Sequence, residues 1–232
     1  MITLNQLSYS LLEQVRGGLL SDDEAINLRL VRWWVHNVRA MLIRQDIDKG
    51  RSISNNILQE LACIDVAVVE AHTCPCPVTW DCTIVRTVRK IPKPIETAQK
   101  DLIIKVSPIG VTSRPFTIIN QFRATWAGNN RFSRLSPKAF YRDGYIWIIN
   151  APQGIKKITI QGVFENPEEL AGYVNCSAQP CFTLDDSYPV SNWMIPAIEK
   201  IIKETNLNQA SMSPTDSAGN AKADYNLEQR KE

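Results

Sequence analysis

The sequence predicts an α+β fold in which an N-terminal helical hairpin is followed by an antiparallel β-sandwich or partly open barrel, a C-terminal helix and an extended polar tail. Three observations lead to this prediction. Apolar residues recur at helical spacing up to about residue 50, and short β-branched runs separated by Pro, Gly, Asn and Ser begin near residue 82. A last helical pattern ends near Asn206, where the composition becomes polar.

These changes of pattern divide the chain into four regions. We predict a helical hairpin over 1–62, an antiparallel β-domain over 63–175, a loop and a C-terminal helix that packs on the N-terminal helices over 176–206, and an extended or disordered arm over 207–232. With 232 residues, 44% hydrophobic residues and a net charge of +2, the chain has a globular composition and is not a polyelectrolyte. It shows neither a signal-peptide pattern nor a membrane-spanning run, so we expect synthesis and assembly in cytoplasm.

The first helix begins at a capping box formed by Thr3 and Gln6, and its leucines recur at helical spacing until Gly17-Gly18. The second is the longest predicted element, from Ser21 to Gly50. Ser21 with Glu24 forms another capping box, and Gly50 supplies the stop.

The long helix has two different arcs. At about 100° per residue, one broad arc is apolar. The opposite arc carries Arg29, Arg32, His36 and Arg39, with Trp33 and Arg44 at its margin. Arginines of this kind either lay their stems over the core and pair with nearby carboxylates, or meet an acidic partner or phosphate.

After the helices, Asn55 is predicted to cap a short third helix that extends through Leu61, and CIDVAVV already has strand character. Five or more strand-like runs follow, and Asp143-Gly144 predicts a tight antiparallel hairpin. The run VRTVRKIPK, which contains Arg86, Arg89, Lys90 and Lys93, is interpreted as protection of an edge strand.

Two further helices follow the strands. Asn166 with Pro167 opens a short one. Ser191 or Asn192 caps the last one, which starts late because Pro196 is tolerated only near a first turn.

The sequence does not indicate an enzyme. The usual phosphate-loop, nucleophile-elbow, dinucleotide and zinc-protease motifs are absent, and the only histidines are His36 and His72. We therefore predict no catalytic residues and no cofactor.

The cysteines leave three interpretations open. Cys63 lies in an apolar stretch and is interpreted as a buried small hydrophobe. The thiols in the polar loops are reduced, or Cys176 and Cys181 form a disulfide in an extracellular particle, or Cys76, Cys82, Cys176 and Cys181 bind a metal ion. Their CxC and CxxxxC spacings differ from the paired CxxC of zinc ribbons.

The order of these elements resembles the head-to-tail connector and tail ring proteins of short-tailed, crAss-like bacteriophages. The resemblance is carried by RGGLLSDDEAINLRLVRWWVHNVRAMLIRQDIDKG, TVRKIPKPIE, DLIIKVSPIG, PFTIIN, AFYRDGYIWII, GVFENPEE and DDSYPVSNWMIPAIEKII. These segments span about residues 16 to 202.

The resemblance implies a structural virion protein in a twelvefold ring, in the portal-proximal connector or tail barrel, forming the wall of the DNA channel. Its implied partners are copies of itself, the portal protein, adjacent tail rings and double-stranded DNA in non-specific passage, with no membrane. Expected interface or channel-facing residues are Arg29, Arg32, Trp33, Arg39 and Arg44, and expected anchors of the C-terminal arm are Tyr225 and Leu227. The alternative is a small nucleic-acid-binding protein that grips phosphate with its arginine helix face.

Overall fold

The computed structural model describes residues 2–16, 27–69, 84–109, 114–124, 126 and 135–207. The helices are α1 (Leu4–Arg16), α2 (Leu28–Asp48), α3 (Gln121–Ala124) and α4 (Met194–Ile201), with 3-10 turns at Asn55–Ile57 and Pro167–Gly172 and a π-helical turn at Ile202–Leu207. The strands are β1 (Gln59–Val68), β2 (Ile84–Thr87), β3 (Ile103–Pro108), β4 (Thr117–Ile118), β5 (Lys138–Arg142), β6 (Tyr145–Ile149) and β7 (Lys157–Gly162).

The N-terminal helix forms as its capping residues predict. Thr3 N–H donates to Gln6 Oε1 at 3.0 Å, and Gln6 N–H donates to Thr3 Oγ1 at 3.2 Å. The leucines on one side of the helix, Leu4, Leu7, Leu11 and Leu12, are buried where α1 packs against α2.

The long helix begins later than predicted. Asn27 has extended backbone, and its side-chain oxygen accepts from Leu30 N–H at 2.8 Å, so α2 starts at Leu28. The prediction of one helix continuous from Ser21 is therefore wrong, because an N-cap turns the chain out of the helical path. The predicted Ser21–Glu24 capping box lies outside the described residues, and the predicted stop agrees with the turn at Lys49 and Gly50.

The strands form one seven-stranded sheet in the order β3-β7-β1-β2-β6-β5-β4, with antiparallel pairing except between β4 and β5. The sheet is nearly closed, since Phe116 N–H donates to Val106 O at 2.7 Å and joins the two end strands. An α+β fold with a partly open barrel is therefore confirmed. At the hairpin, Asp143 and Gly144 have φ of 54° and 87°, as a two-residue turn between paired strands requires.

Two local predictions differ from the structure. The expected third helix is a single 3-10 turn at Asn55–Ile57 capped by Ser54, because the chain enters β1 already at Gln59. Arg86 of the basic run lies on β2, which pairs with β1 and β6 and is not an edge strand, and the other three cations follow β2.

One hydrophobic core connects the helices with the sheet. Residues of α1, α2, α4 and six of the strands contact one another in a single buried cluster. The apolar face of α4 contributes Met194 and Ile198, and α4 lies against α2. No helix in the described part of the chain is long and apolar enough to cross a bilayer.

Candidate functional site

The polar arc of α2 is divided between exposed and buried residues. Arg29 and Trp33 are exposed, and Trp33 keeps 58% of its surface accessible. One turn further on, His36 and Arg39 are buried. The expectation of one continuous arginine face is therefore wrong.

Arg39 is completely buried and bonded to backbone within its own subunit. Its Nε donates to Pro189 O at 2.6 Å, its Nη1 donates to Phe164 O at 2.9 Å, and its guanidinium carbon lies 5.6 Å from the Tyr188 ring centroid. Burial lowers the pKa of the Arg39 guanidinium below its ordinary value. Arg39 consequently cannot contact a neighbouring subunit or DNA as predicted, because it is buried against Phe164, Tyr188 and Pro189.

A second polar network connects α1, α2 and the 3-10 turn Pro167–Gly172. Arg32 Nη2 donates to Asn5 Oδ1 at 2.6 Å, and its Nε lies 4.0 Å from Glu168 Oε1. His36 lies between Tyr188 and Glu168, with Nδ1 2.9 Å from the Tyr188 hydroxyl and Nε2 3.6 Å from Glu168 Oε1. These groups contact other parts of the same subunit, so the network holds α2 in its position.

The ionisation of this network follows from its surroundings. The polar contact with His36 lowers the pKa of the Glu168 carboxyl, and the charges of Arg32 and Arg29 lower it further, against the opposing effect of desolvation. Burial raises the pKa of the Tyr188 hydroxyl far above its ordinary value, so the phenol stays protonated.

Arg44 also bonds within the subunit, although it is half-exposed. Its Nε donates to Glu96 O at 2.7 Å, and its Nη2 lies 3.7 Å from Glu165 Oε1. Lys93 Nζ approaches the same carboxylate oxygen at 3.1 Å. Arg44 therefore fixes the segment that begins at Glu96 to α2.

The surface that α2 presents to solvent is a stripe with four-residue spacing. We call Arg29, Trp33, Asn37 and Met41 the α2 stripe, since all four are exposed and follow one another along one side of the helix. A tryptophan and a methionine exposed together are unusual for a surface without a partner. The stripe retains two of the features predicted for the arginine face, a cation and an indole.

A second exposed apolar surface was not predicted as a site. On and just after β4, Ile118, Phe122 and Trp126 are exposed, Phe122 to 82% and Trp126 to 70%, and Leu135 is exposed shortly before β5, the strand that pairs with β4. We call these four residues the β4 patch. Its signal in the sequence is the pair of large aromatic residues, Phe122 and Trp126, that follows the short run PFTIIN.

Two arginines of the basic run lie over aromatic rings. The Arg86 guanidinium lies 4.7 Å from the Tyr145 ring centroid and 5.4 Å from that of Trp147. Arg89 lies 4.8 Å from the Tyr173 ring centroid and donates to Gly172 O at 3.3 Å. The interpretation as edge protection is replaced by cation–π packing on the sheet.

Cys63 and Cys176 form a disulfide that connects β1 to the loop at 173–181. Cys63 is therefore not an isolated buried hydrophobe, and Cys181 is a free thiol, so a Cys176–Cys181 disulfide is wrong. Burial raises the pKa of the Cys181 thiol. The pairing also removes Cys176 as a metal ligand.

The remaining candidates cannot be placed. Cys76, Cys82, Tyr225 and Leu227 lie outside the described residues. Within the described ranges, no group of three His, Cys, Asp or Glu side chains has the geometry to hold a metal ion.

Comparison with known families gives one extensive match. The family described as phage tail ring protein 2 matches residues 6–225, almost the whole chain. No curated protein is significantly similar to it.

Proposed function

Because the chain belongs to the phage tail ring protein 2 family of crAss-like bacteriophages, and is thus a structural ring protein of the virion, we propose that its ring lies in the portal-proximal connector or tail barrel. In this proposal twelve copies surround the DNA channel and form part of its wall. The portal protein and adjacent tail rings are its other partners, and assembly takes place in the host cytoplasm.

The observation that carries the proposal is the presence, on one subunit, of two different surfaces that expose large apolar side chains. The α2 stripe lies on the long helix, and the β4 patch lies beside the last strand of the sheet. A closed cyclic ring uses head-to-tail contacts, in which one patch of each subunit meets a different patch of the next. Two dissimilar patches meet this requirement, so Arg29 and Trp33 remain proposed interface residues.

The charge distribution favours a channel wall over a DNA-gripping protein. The net charge is +2, and Arg32, Arg39 and Arg44 bond within the subunit. A protein that grips DNA neutralises several phosphates with accessible cations and holds the duplex in place. A wall past which DNA slides needs few such contacts, so we do not propose the nucleic-acid-binding alternative.

Cryo-electron microscopy of intact virions tests the proposal. The expected result is a closed tier of this chain below the portal, coaxial with the DNA, with twelve copies. Native mass spectrometry of the purified chain, alone and mixed with portal protein, measures the two partnerships separately. Absence from the particle, or a location in fibres away from the channel, would contradict the proposed role.

A further inference from the structure

Three cations on β2 and just after it are connected to one another through two tyrosines. The Arg86 guanidinium lies over Tyr145, and Lys90 Nζ lies 6.0 Å from the centroid of the same ring. The Tyr173 hydroxyl donates to Lys90 O, and Arg89 lies over the Tyr173 ring. We call Arg86, Arg89 and Lys90 the basic patch.

Local packing holds the basic patch in place. Arg86 on β2 is paired with Trp147 on β6, so the two side chains stand on the same face of the sheet. The stem of Lys90 lies against the β5–β6 turn, where a Cβ on Gly144 would be 3.2 Å from Lys90 Cδ. Because these stems are already packed, less side-chain freedom is lost when the charged ends meet an anion.

The basic patch has an excess of positive charge. Among the residues that the structure describes, no carboxylate lies within 4.0 Å of its three cations. The acidic residues of adjoining segments, Asp65, Asp143 and Glu165, each pair with another cation. Burial raises the pKa of the Tyr173 hydroxyl and Glu169 raises it further, so this carboxylate is close to the patch and offsets part of its charge. Three cations against one carboxylate leave a positive surface.

The patch offers charge and little free apolar area. Two of its cations are exposed and the third is half-buried, and the rings that they contact are buried or half-buried. The large apolar side chain that stays exposed within 84–93 is Val88. Protein interfaces bury an apolar centre from which charged residues are depleted. The α2 stripe and the β4 patch can supply such a centre, whereas the basic patch suits a polyanion.

We propose that the basic patch faces the channel of the ring and contacts the phosphate backbone of double-stranded DNA during its passage. This inference rests on the proposed function, because it requires the chain to surround DNA. It assigns the DNA-facing side of the subunit to the sheet beside the β5–β6 turn, and not to the arginines of α2.

The chemistry of the patch fits a contact along which DNA can slide. A guanidinium stacked on a ring presents its N–H groups at its edge, where phosphate oxygens can accept them, and a lysine meets phosphate as a point charge. Phosphate contacts carry no sequence information and allow a protein to slide along DNA. Three cations per subunit give weak attraction that becomes appreciable only when several copies act together.

Salt-dependent DNA binding by the full chain tests the inference. Fluorescence anisotropy measures the association constant for a short labelled duplex at several salt concentrations. The double variant Arg89→Gln/Lys90→Gln is compared with Lys156→Gln/Lys203→Gln, which removes two exposed cations elsewhere and gives the same net charge. Thermal unfolding of both double variants verifies that each is folded.

We expect the logarithm of the wild-type association constant to fall against the logarithm of salt concentration with a slope of about −2.7, since each of three phosphate contacts contributes about −0.9. The patch variant should lose about 1.8 of this slope, and the control variant should keep it. Equal slopes in the two variants, or no DNA binding by the wild type at low salt, would overturn the inference. So would several-fold different affinities for duplexes of unrelated sequence. Tighter binding to polyglutamate than to DNA of equal charge would assign the patch to an acidic protein segment and would also overturn it.

Lysine acetylation provides a second test that needs no variant. Bound DNA should protect Lys90 from acetylation several-fold, while Lys156 and Lys203 in the same sample react as fast as they do without DNA. Mass spectrometry of the acetylated peptides measures all three rates together. Equal protection of the three lysines, or no protection of Lys90, contradicts a contact at the basic patch.

The two solution measurements do not depend on the position of the ring in the virion. Failure of DNA binding or of Lys90 protection, together with a tier of this chain below the portal, refutes this inference and leaves the proposed function standing. Absence of the chain from the channel refutes the proposed function, and the role of the patch in DNA passage is refuted with it.

Discussion

Arg39 on α2 donates from Nη1 to the backbone oxygen of Phe164, just beyond β7, at 2.9 Å. Arg39 Nε also donates to Pro189 O, so two buried hydrogen bonds attach α2 to two distant parts of the chain. The same arginine was expected on an outer surface. Because Arg39 is buried, this part of the polar arc of α2 stabilises the subunit and does not contact other subunits.

Replacing Arg39 is therefore expected to unfold the subunit more easily. Arg39→Met removes the donors of two buried carbonyl oxygens, so we expect the free energy of unfolding to fall by about 2–4 kcal/mol. Urea denaturation measures the loss. Arg29→Met, at an exposed position on the same helix, is the matched control and should stay within about 0.5 kcal/mol of the wild type. Equally small losses of unfolding free energy in both variants would show that Arg39 does not stabilise the fold.

Glu168 predicts a loss of stability in acid. Its folded-state pKa lies below the ordinary value of 4.5, chiefly because of His36. A lowered carboxyl pKa stabilises the fold above about pH 4.5, and this contribution disappears as the pH falls through the folded-state pKa. Between pH 6 and pH 3, the advantage of the wild type over Glu168→Gln should shrink, as followed by denaturation at each pH. Glu169→Gln, at the adjacent exposed position, is the control, and a constant difference for Glu168→Gln would contradict the prediction.

The Cys63–Cys176 disulfide joins residues 113 positions apart. Cys63→Ser is expected to lower the free energy of unfolding by about 2–4 kcal/mol without reductant, because the unfolded chain regains freedom, and to have little effect once dithiothreitol has reduced the wild type. Cys181→Ser, which removes a free thiol, should change stability by under about 1 kcal/mol. Peptide mapping that fails to find the 63–176 linkage in particles would refute the premise.

Gly162 in β7 marks a close approach of two backbones. A Cβ at this position would lie 2.8 Å from Leu102 O, so Gly162→Ala must displace the strand and should cost about 1–3 kcal/mol of stability. At Gly172 a Cβ would meet nothing within 4 Å, so Gly172→Ala is the control. Thermal unfolding of both variants distinguishes them. An unfolding midpoint of Gly162→Ala equal to that of the wild type would show that the strands move apart without loss of stability.

Trp33 tests the α2 stripe as an interface. Because its side chain is exposed, Trp33→Ala should leave the unfolding free energy within about 0.5 kcal/mol of the wild type. If Trp33 is a buried anchor between copies, its loss weakens assembly at least tenfold, measured as the ring fraction in native mass spectrometry. Asn37→Ala on the same stripe is the control. Normal ring formation by Trp33→Ala would remove the indole from the interface.

The predictions that agree with the structure depend on residues close together in the chain. Thr3 and Gln6 cap each other across three positions, Asp143 and Gly144 set their turn alone, and Asn166 accepts from Glu168 N–H two residues later. Their geometry is governed by local backbone preferences. The error at the start of α2 is also local, since Ser21 and Asn27 are both suitable caps and the sequence offers no criterion for choosing between them.

The predictions that failed at the candidate site depend on distant partners. Periodicity placed Arg39 opposite the apolar arc, but in the structure Arg39 is buried like its apolar neighbours on α2. The periodic pattern contains no information on whether Phe164, Tyr188 and Pro189 return to cover the helix. In the same way, the pairing of Cys63 with Cys176 depends on a register shift in β1 and on a loop more than 100 residues away.

The sequence by itself determined the class of fold, the order of its elements, the caps at Thr3 and Asn166, the Asp143-Gly144 turn, and the resemblance to ring proteins, because these follow from short-range patterns and composition. Only the tertiary structure decided which arginines are inside, which apolar residues stay exposed beside β4, and which cysteines are joined. Those features arise where segments remote in the chain meet, and the free energy of such contacts depends on the packing of the whole subunit.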